Sequence, residues 1–225
     1  MSGKPTLDTI KALLAQSTYS TSNQAQLEAY VEAQAAGEAP YYMDANRSLL
    51  KIYQFVPQNS NEAKISMIFL LSLLEFPSTD SLALSYLLPE RMAKVEPTAS
   101  ILHCADLLGS CKFGEFWKAF GGISESDGKL KALLDSNKGT ERLQRAIVNA
   151  LALSYRTAPL STVLVALNVT SGDEIRRLNH SSVESVTAET VSFVPTADNT
   201  KRNRVFQEGV NFSAISSLMA RVTSE

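Results

Sequence analysis

Residues 59–76 read NSNEAKISMIFLLSLLEF, and this stretch decides the fold class. Asn59 and Glu62 have the spacing of a helix-capping pair, which predicts that a helix begins here. The apolar residues that follow lie on every side of that helix, and a helix that is apolar all round is buried. We therefore predict that it lies at the centre of a helical bundle. Its apolar run, residues 65–76, is too short to cross a bilayer, which takes ~20 residues.

Amphipathic helices are predicted on both sides of this central helix. Five prolines between residues 40 and 97 divide the chain into short segments whose apolar residues recur three and four positions apart. Phe113, Phe116, Trp117 and Phe120 continue that spacing, and we interpret them as one buried helical face. Helices in series with short turns and no strand pattern are typical of stacked antiparallel helical pairs.

A cluster of glycines marks the one candidate domain boundary. Residues 121–139 contain Gly121, Gly122, Gly128 and Gly139, which are four of the ten glycines in the chain. A short helix at 129–135 is predicted inside this glycine-rich stretch. We place the boundary near residue 138, which gives a helical domain over 1–138 and a second domain over 139–225.

The second domain has a different pattern. A helix is predicted over 140–156, and two short helices follow, the second of which begins at the capping-box sequence Ser171–Glu174. They resemble a helix-turn-helix. The apolar period then changes from about 3.6 residues to two at 191–195, which predicts a strand. A polar loop at 196–203 and a second strand at 204–207 would complete a winged helix with a small β-ribbon.

The chain ends in a predicted amphipathic helix, residues 212–221. Its apolar stripe consists of Phe212, Ile215, Leu218 and Met219, and an isolated helix of this length is marginal in water. We therefore expect it to dock, either on its own winged helix or on a partner subunit. The stripe is the candidate partner interface.

Residues with catalytic or metal-binding chemistry are few. Two cysteines and two histidines do not have zinc-finger spacing, and His103 and Cys104 are neighbours whose side chains diverge on a helix. Residues 122–130 lack the glycine spacing and the Ser or Thr of a phosphate-binding loop. We predict that the chain is not an enzyme and takes no cofactor and no metal.

The distribution of basic residues is compatible with a local nucleic-acid contact in the second domain. The net charge is −2, which excludes a bulk polycation, but residues 139–225 carry nine basic and eight acidic residues. Arg176 and Arg177 lie on the second short helix, and Lys201, Arg202 and Arg204 lie on the predicted wing. These five are candidate nucleic-acid contacts, since a winged helix would use such positions. The competing interpretation is a solvated charged face.

Three stretches resemble the subunit k family of eukaryotic translation initiation factor 3. They are LEAYVEAQAAGEAPYYMDANRSLLKIYQF at 27–55, ILHCADLLGSCKFGEFWKAF at 101–120 and NFSAISSLMA at 211–220. The resemblance implies an N-terminal HEAT-like helical domain followed by a winged helix, which is the PCI-type arrangement. This agrees with the layout predicted from the residue pattern.

The resemblance also implies a function. It points to a non-catalytic scaffold subunit of the initiation factor, with the l subunit as the nearest partner among the other subunits. The small ribosomal subunit would be reached through the complex, with at most a weak direct RNA contact. Since no secretory signal or membrane segment is visible in the sequence, we expect a cytoplasmic protein without membrane contact.

Two alternative functions stay open at this point. A small PCI-type subunit of the proteasome lid or of the COP9 signalosome has the same architecture. A helix-turn-helix nucleic-acid regulator would instead place its recognition-helix arginines outward and bind with a steep salt dependence.

Overall fold

The computed structural model describes residues 5–200, 215–216 and 219–220, apart from the side chains of 124–126. The described chain is mainly helical with one small antiparallel sheet, which confirms the predicted mainly α class. The helices are α1 (Leu7–Gln16), α2 (Gln24–Ala35), α3 (Met43–Phe55), α4 (Glu62–Leu73), α5 (Asp80–Ser85), α6 (Glu90–Ala93), α7 (Thr98–Gly109), α8 (Phe113–Ser126), α9 (Gly128–Ser136), α10 (Gly139–Ser154), α11 (Leu160–Leu167) and α12 (Gly172–Leu178). The strands are β1 (Thr157–Pro159), β2 (Val183–Val186) and β3 (Thr190–Phe193).

Helix α4 lies at the centre, as its all-round apolar character predicts. It packs against α2, α3, α5, α7 and α9, and Ile68, Phe69 and Leu70 have no exposed surface. The helix begins two residues later than the capping pair predicts, because residues 57–59 form a 3₁₀ turn. Asn61 is therefore the N-cap, and its side chain accepts hydrogen bonds from the backbone N–H groups of Ala63 and Lys64.

The aromatic stripe of α8 is buried, which confirms its assignment to the core. Phe113, Phe116, Trp117 and Phe120 are each 7% exposed or less. The ring centroids of Phe116 and Trp117 lie 4.9 Å apart in an edge-to-face arrangement, which is a favourable aromatic geometry.

The glycine-rich stretch is helical and packed, and the short helix predicted at 129–135 is found as α9. Gly121 and Gly122 lie inside α8, and α9 packs against α2, α4, α8 and α10. The Asn137 side-chain amide donates to the carbonyls of Gln34 and Ala35 at 3.2 and 3.0 Å, which ties this stretch to α2. One hydrophobic core continues from Ile10 to Phe193. The boundary at residue 138 stays a prediction.

The sheet has the order β1–β3–β2, and both pairings are antiparallel. The strand predicted at 191–195 is found as β3, where Val191 and Phe193 are fully buried. Its partners differ from the prediction, because β2 precedes it in the chain and β1 lies just after α10. The sequence pattern predicts neither strand, because β2 has two exposed residues among four and β1 has only one buried residue. The second strand predicted at 204–207 lies outside the described residues.

The two short helices α11 and α12 lie where the sequence predicts them. Ser171 is the N-cap of α12, but its hydroxyl makes no capping bond to the backbone. It donates instead to the Glu174 carboxylate at 3.4 Å. The capping-box geometry expected at Ser171–Glu174 is therefore not formed, although the helix begins at the predicted place.

Candidate interaction site

A surface groove lies between α5 and α7, with α4 beneath it. It has a volume of about 830 Å³, and Ala150 of α10 reaches its edge. Apolar side chains form most of its lining, among them Leu73, Leu82 and Leu102. Leu82 is 56% exposed. Sequence reasoning missed this groove, because α5 is too short for its apolar period to be read.

The groove contains a hydroxyl that has no partner within the described chain. Ser81 is 9% exposed, lines the groove and leaves its Oγ without a hydrogen bond. A buried polar atom in this state costs free energy. Across the groove, Ala105 and Gly109 present small side chains, and a Cβ atom added at Gly109 would meet no atom within 4 Å.

The cysteines and histidines do not come together at a site. Cys104 is fully buried, and this burial raises the pKa of its thiol to about 12, which makes it an inert core residue. Cys111 is exposed beyond the end of α7 and lines the groove. His103 is an exposed residue of α7. Burial and the nearby Arg145 hold the pKa of His180 below its usual value, which favours the neutral imidazole.

The other candidates for metal binding, phosphate binding and catalysis have no functional geometry in the described residues. Within the described ranges, no group of three or more His, Cys, Asp or Glu side chains could hold a metal ion. Residues 122–130 run from the end of α8 into α9, so no strand leads into a phosphate-binding loop. The Thr170 hydroxyl donates to the Glu174 carboxylate at 2.5 Å, and this bond lowers the pKa of Glu174.

The two arginines of α12 differ in their surroundings. The guanidinium of Arg176 donates to the Asp173 carboxylate at 2.5 Å and to the Val186 carbonyl at 2.7 Å. It therefore ties α12 to the end of β2, a structural role that sequence reasoning did not foresee. Arg177 is exposed and close enough to Glu174 to lower the pKa of that carboxyl. Lys201, Arg202 and Arg204 lie outside the described residues.

Two residues of the predicted terminal interface are described. Ile215 and Met219 lie in helical backbone and are 45% and 62% exposed. The helical backbone at these two residues agrees with the predicted terminal helix. Their exposure means that part of the predicted apolar stripe faces solvent. Phe212 and Leu218 lie outside the described residues, so the interface itself stays a prediction.

These features define a mainly helical protein with a small antiparallel sheet and an apolar groove on its surface. No helix in the described part of the chain is both long and apolar enough to span a membrane. The fold therefore defines the class as a mainly α protein with a small antiparallel sheet.

Comparison with known proteins shows which proteins this chain is similar to. The chain is similar to "Eukaryotic translation initiation factor 3 subunit K" of Homo sapiens, with 26% identity over 203 residues that cover 90% of this chain and 89% of the human protein. The protein of the same name from Dictyostelium discoideum is 27% identical over 175 residues, 78% of this chain and 68% of its own length. That of Anopheles gambiae is 31% identical over 131 residues, 58% and 56% of the two chains. No protein-family profile matches the sequence.

The similarity covers nearly the whole chain and recurs across distant eukaryotes. It confirms the resemblance to the subunit k family that the three sequence stretches indicate. The relatives share a single name, and that name places each of them in a translation initiation factor complex.

Proposed function

We propose that this chain is a non-catalytic scaffold subunit of a eukaryotic translation initiation factor 3 complex, acting through protein–protein contacts. The observation that carries the proposal is the alignment with the human subunit K over nine-tenths of both chains. In this role the chain supports assembly of the initiation complex on the small ribosomal subunit in the cytoplasm. The similarity favours this function over a proteasome-lid or signalosome subunit and over a free nucleic-acid regulator.

The arrangement of elements supports a PCI-type architecture for the proposal. The helices before α10 are packed in series around α4, which is compatible with a HEAT-like stack. From α10 onward the order is helix, strand, helix, helix and then two strands, which is the order of a winged helix. We therefore assign a helical repeat domain followed by a winged helix to this chain.

The nearest partner in this proposal is the l subunit, and the terminal stripe is part of the contact. Truncation after Gly209 is expected to leave the helical domain folded and to reduce recovery of the l subunit. Leu218→Asp should act in the same direction, because a charge buried without a partner costs several kcal/mol, enough to lower affinity by about tenfold or more. The measurement is co-purification of co-expressed l subunit with each variant, alongside circular dichroism.

Ser217→Asp is the matched control for this experiment. Residue 217 lies next to Leu218 but on the opposite side of the predicted helix, so its charge should stay in water and recovery should equal that of the parent. Full recovery of the l subunit with Leu218→Asp and with the truncated chain would contradict the assignment of the stripe to the interface. Failure of the full chain to co-purify with any initiation factor 3 subunit would contradict the function.

Direct contact with RNA, where it occurs, is expected to run through the second domain. Arg177→Ala should lower the slope of log affinity against log salt by about 0.7, the value for one lost phosphate contact on a single strand. Arg176→Ala is the comparison, since its guanidinium is already occupied by Asp173 and Val186. The measurement is fluorescence anisotropy with a labelled single-stranded RNA over a salt series. Crosslinks confined to residues 1–138 would contradict this placement.

A further inference from the structure

We propose that α11 is a strut that fixes α12 and the three-stranded sheet on the helical body, which is the set of helices α1–α10. One end of α11 is bonded to the sheet, and the other end is bonded to side chains of α8 and α10. Helix α10 belongs to the body because it packs on α9 and its Arg142 pairs with Glu75, just beyond the end of α4, at 2.6 Å. The strut is a property of the isolated chain and goes beyond the proposed function.

The first end of α11 is part of the sheet. Strand β1 ends at Pro159, α11 begins at Leu160, and β1 pairs with the central strand β3. The Leu160 backbone N–H donates to the Glu189 carbonyl at 2.7 Å, in the turn that joins β2 to β3. Because an N–H group in the first turn of a helix has no acceptor within that helix, the sheet supplies one. A displacement of α11 would therefore carry the sheet with it.

The second end of α11 is held by the helical body through backbone carbonyl groups that have no donor within the helix. The Trp117 indole N–H of α8 donates to the Ala166 carbonyl at 2.8 Å. The Gln144 side-chain amide of α10 donates to the Leu167 carbonyl at 3.0 Å. The side chains of Ala166 and Leu167 are buried as well. Two different helices of the body thus hold the same turn of α11.

Helix α11 also lies close to the backbone of α8. A Cβ atom added at Gly114 would lie 3.0 Å from Cγ1 of Val165, which is tighter than most contacts of real Cβ atoms. Val165 is β-branched, and such a side chain is held near one rotamer in a helix, so it does not readily turn aside. Glycine at position 114 therefore allows the contact between α8 and α11, and a bulky residue there would act as a wedge.

In the proposed scaffold role, the strut would present α12 and the sheet to a partner subunit in one orientation. A binding surface that is ordered before association loses less conformational freedom when it binds. This consequence rests on the proposed function, whereas the strut itself is tested on the chain alone.

Gly114→Val is the direct test, because its methyl groups would push Val165 and α11 away from α8. Overpacking of this kind raises the population of locally open molecules, so amide hydrogen exchange in α11 should become about tenfold faster or more. Because α11 carries α12 and the sheet, exchange in these elements should become faster by the same factor. Exchange in α2, α3 and α4 should equal that of the parent. Mass spectrometry of peptides from the full chain measures these rates.

Gly122→Val is the matched control, since a Cβ atom added at this position of the same helix would meet no described atom within 4 Å. Equal exchange in the two variants would overturn the proposal, and so would faster exchange in α11 alone. Gln144→Leu covers the case in which Gly114→Val unfolds the whole chain. It leaves the Leu167 carbonyl without its donor, so exchange in α11, α12 and the sheet should again rise about tenfold. Unchanged exchange in this variant would also overturn the proposal.

The orientation of the sheet is measured separately with spin labels on the full chain. Ala132→Cys places one label on α9 and Ser185→Cys another on β2, both at exposed positions, and Cys111→Ser removes the exposed native thiol. Pulsed electron resonance should give one narrow distance distribution, which becomes broader when Gly114→Val is added. A broad distribution without the wedge would show that the sheet moves freely and would overturn the proposal. Neither measurement needs a partner, so each result stands whatever the outcome with the l subunit.

Discussion

Trp117→Ala is expected to lower the free energy of unfolding by about 3–5 kcal/mol, the usual range for removing a large aromatic side chain from a core. Trp117 is 7% exposed and packs against Phe116 and Phe120, so the substitution leaves a cavity. The indole N–H also donates to the Ala166 carbonyl at 2.8 Å. Urea unfolding followed by circular dichroism measures the change.

The hydrogen bond to Ala166 gives this tryptophan a second role. Ala166 is in the last turn of α11, where the carbonyl groups have no donor within the helix. Trp117 from α8 satisfies one of them, and Gln144 from α10 satisfies that of Leu167 at 3.0 Å. Loss of the indole therefore also weakens the attachment of α11 to the preceding helices.

Trp117→Phe separates the two contributions. Phenylalanine keeps an aromatic ring in the core and loses the N–H donor, so we expect a smaller loss of about 1–3 kcal/mol. A Trp117→Ala protein that unfolds like the parent but binds its partner poorly would contradict the core assignment. It would place Trp117 in an interface instead.

Gln34→Leu is expected to lower the free energy of unfolding by about 2–6 kcal/mol, or about 1–3 kcal/mol for each polar group left without its bond. Gln34 is 1% exposed and exchanges hydrogen bonds with the fully buried Asn46 amide, at 3.0 and 3.4 Å. Its Oε1 also accepts from the Tyr42 backbone N–H at 3.0 Å. The substitution leaves the buried Asn46 amide and the partly buried Tyr42 N–H without these hydrogen bonds. Thermal and urea unfolding measure the loss.

Two further variants make this prediction specific. Gln26→Leu, an exposed position of the same helix, should change the stability by less than about 0.5 kcal/mol. The double variant Gln34→Leu with Asn46→Leu should lose less than the sum of the single variants, because it removes both amides of the pair together and leaves neither of them unpaired. Additive losses, or a Gln34→Leu protein as stable as the parent, would show that the two amides are not coupled.

The sequence by itself determined the class of the fold and most of the helices. The central position of α4 follows from its all-round apolar residues, and the buried face of α8 follows from the spacing of Phe113, Phe116, Trp117 and Phe120. These features depend on residues three and four apart, and such spacing is visible in the chain alone. The three family stretches indicated the same relationship that the comparisons with known proteins show.

Only the tertiary structure decided which elements meet. The strands β1 and β2 have too few apolar residues to be read alone and form because β3 lies between them. The glycine-rich stretch packs against α2 and α4, and Asn46 is the partner of Gln34 because α3 folds back onto α2. Each of these depends on contacts between residues far apart in sequence, where local periodicity carries no information.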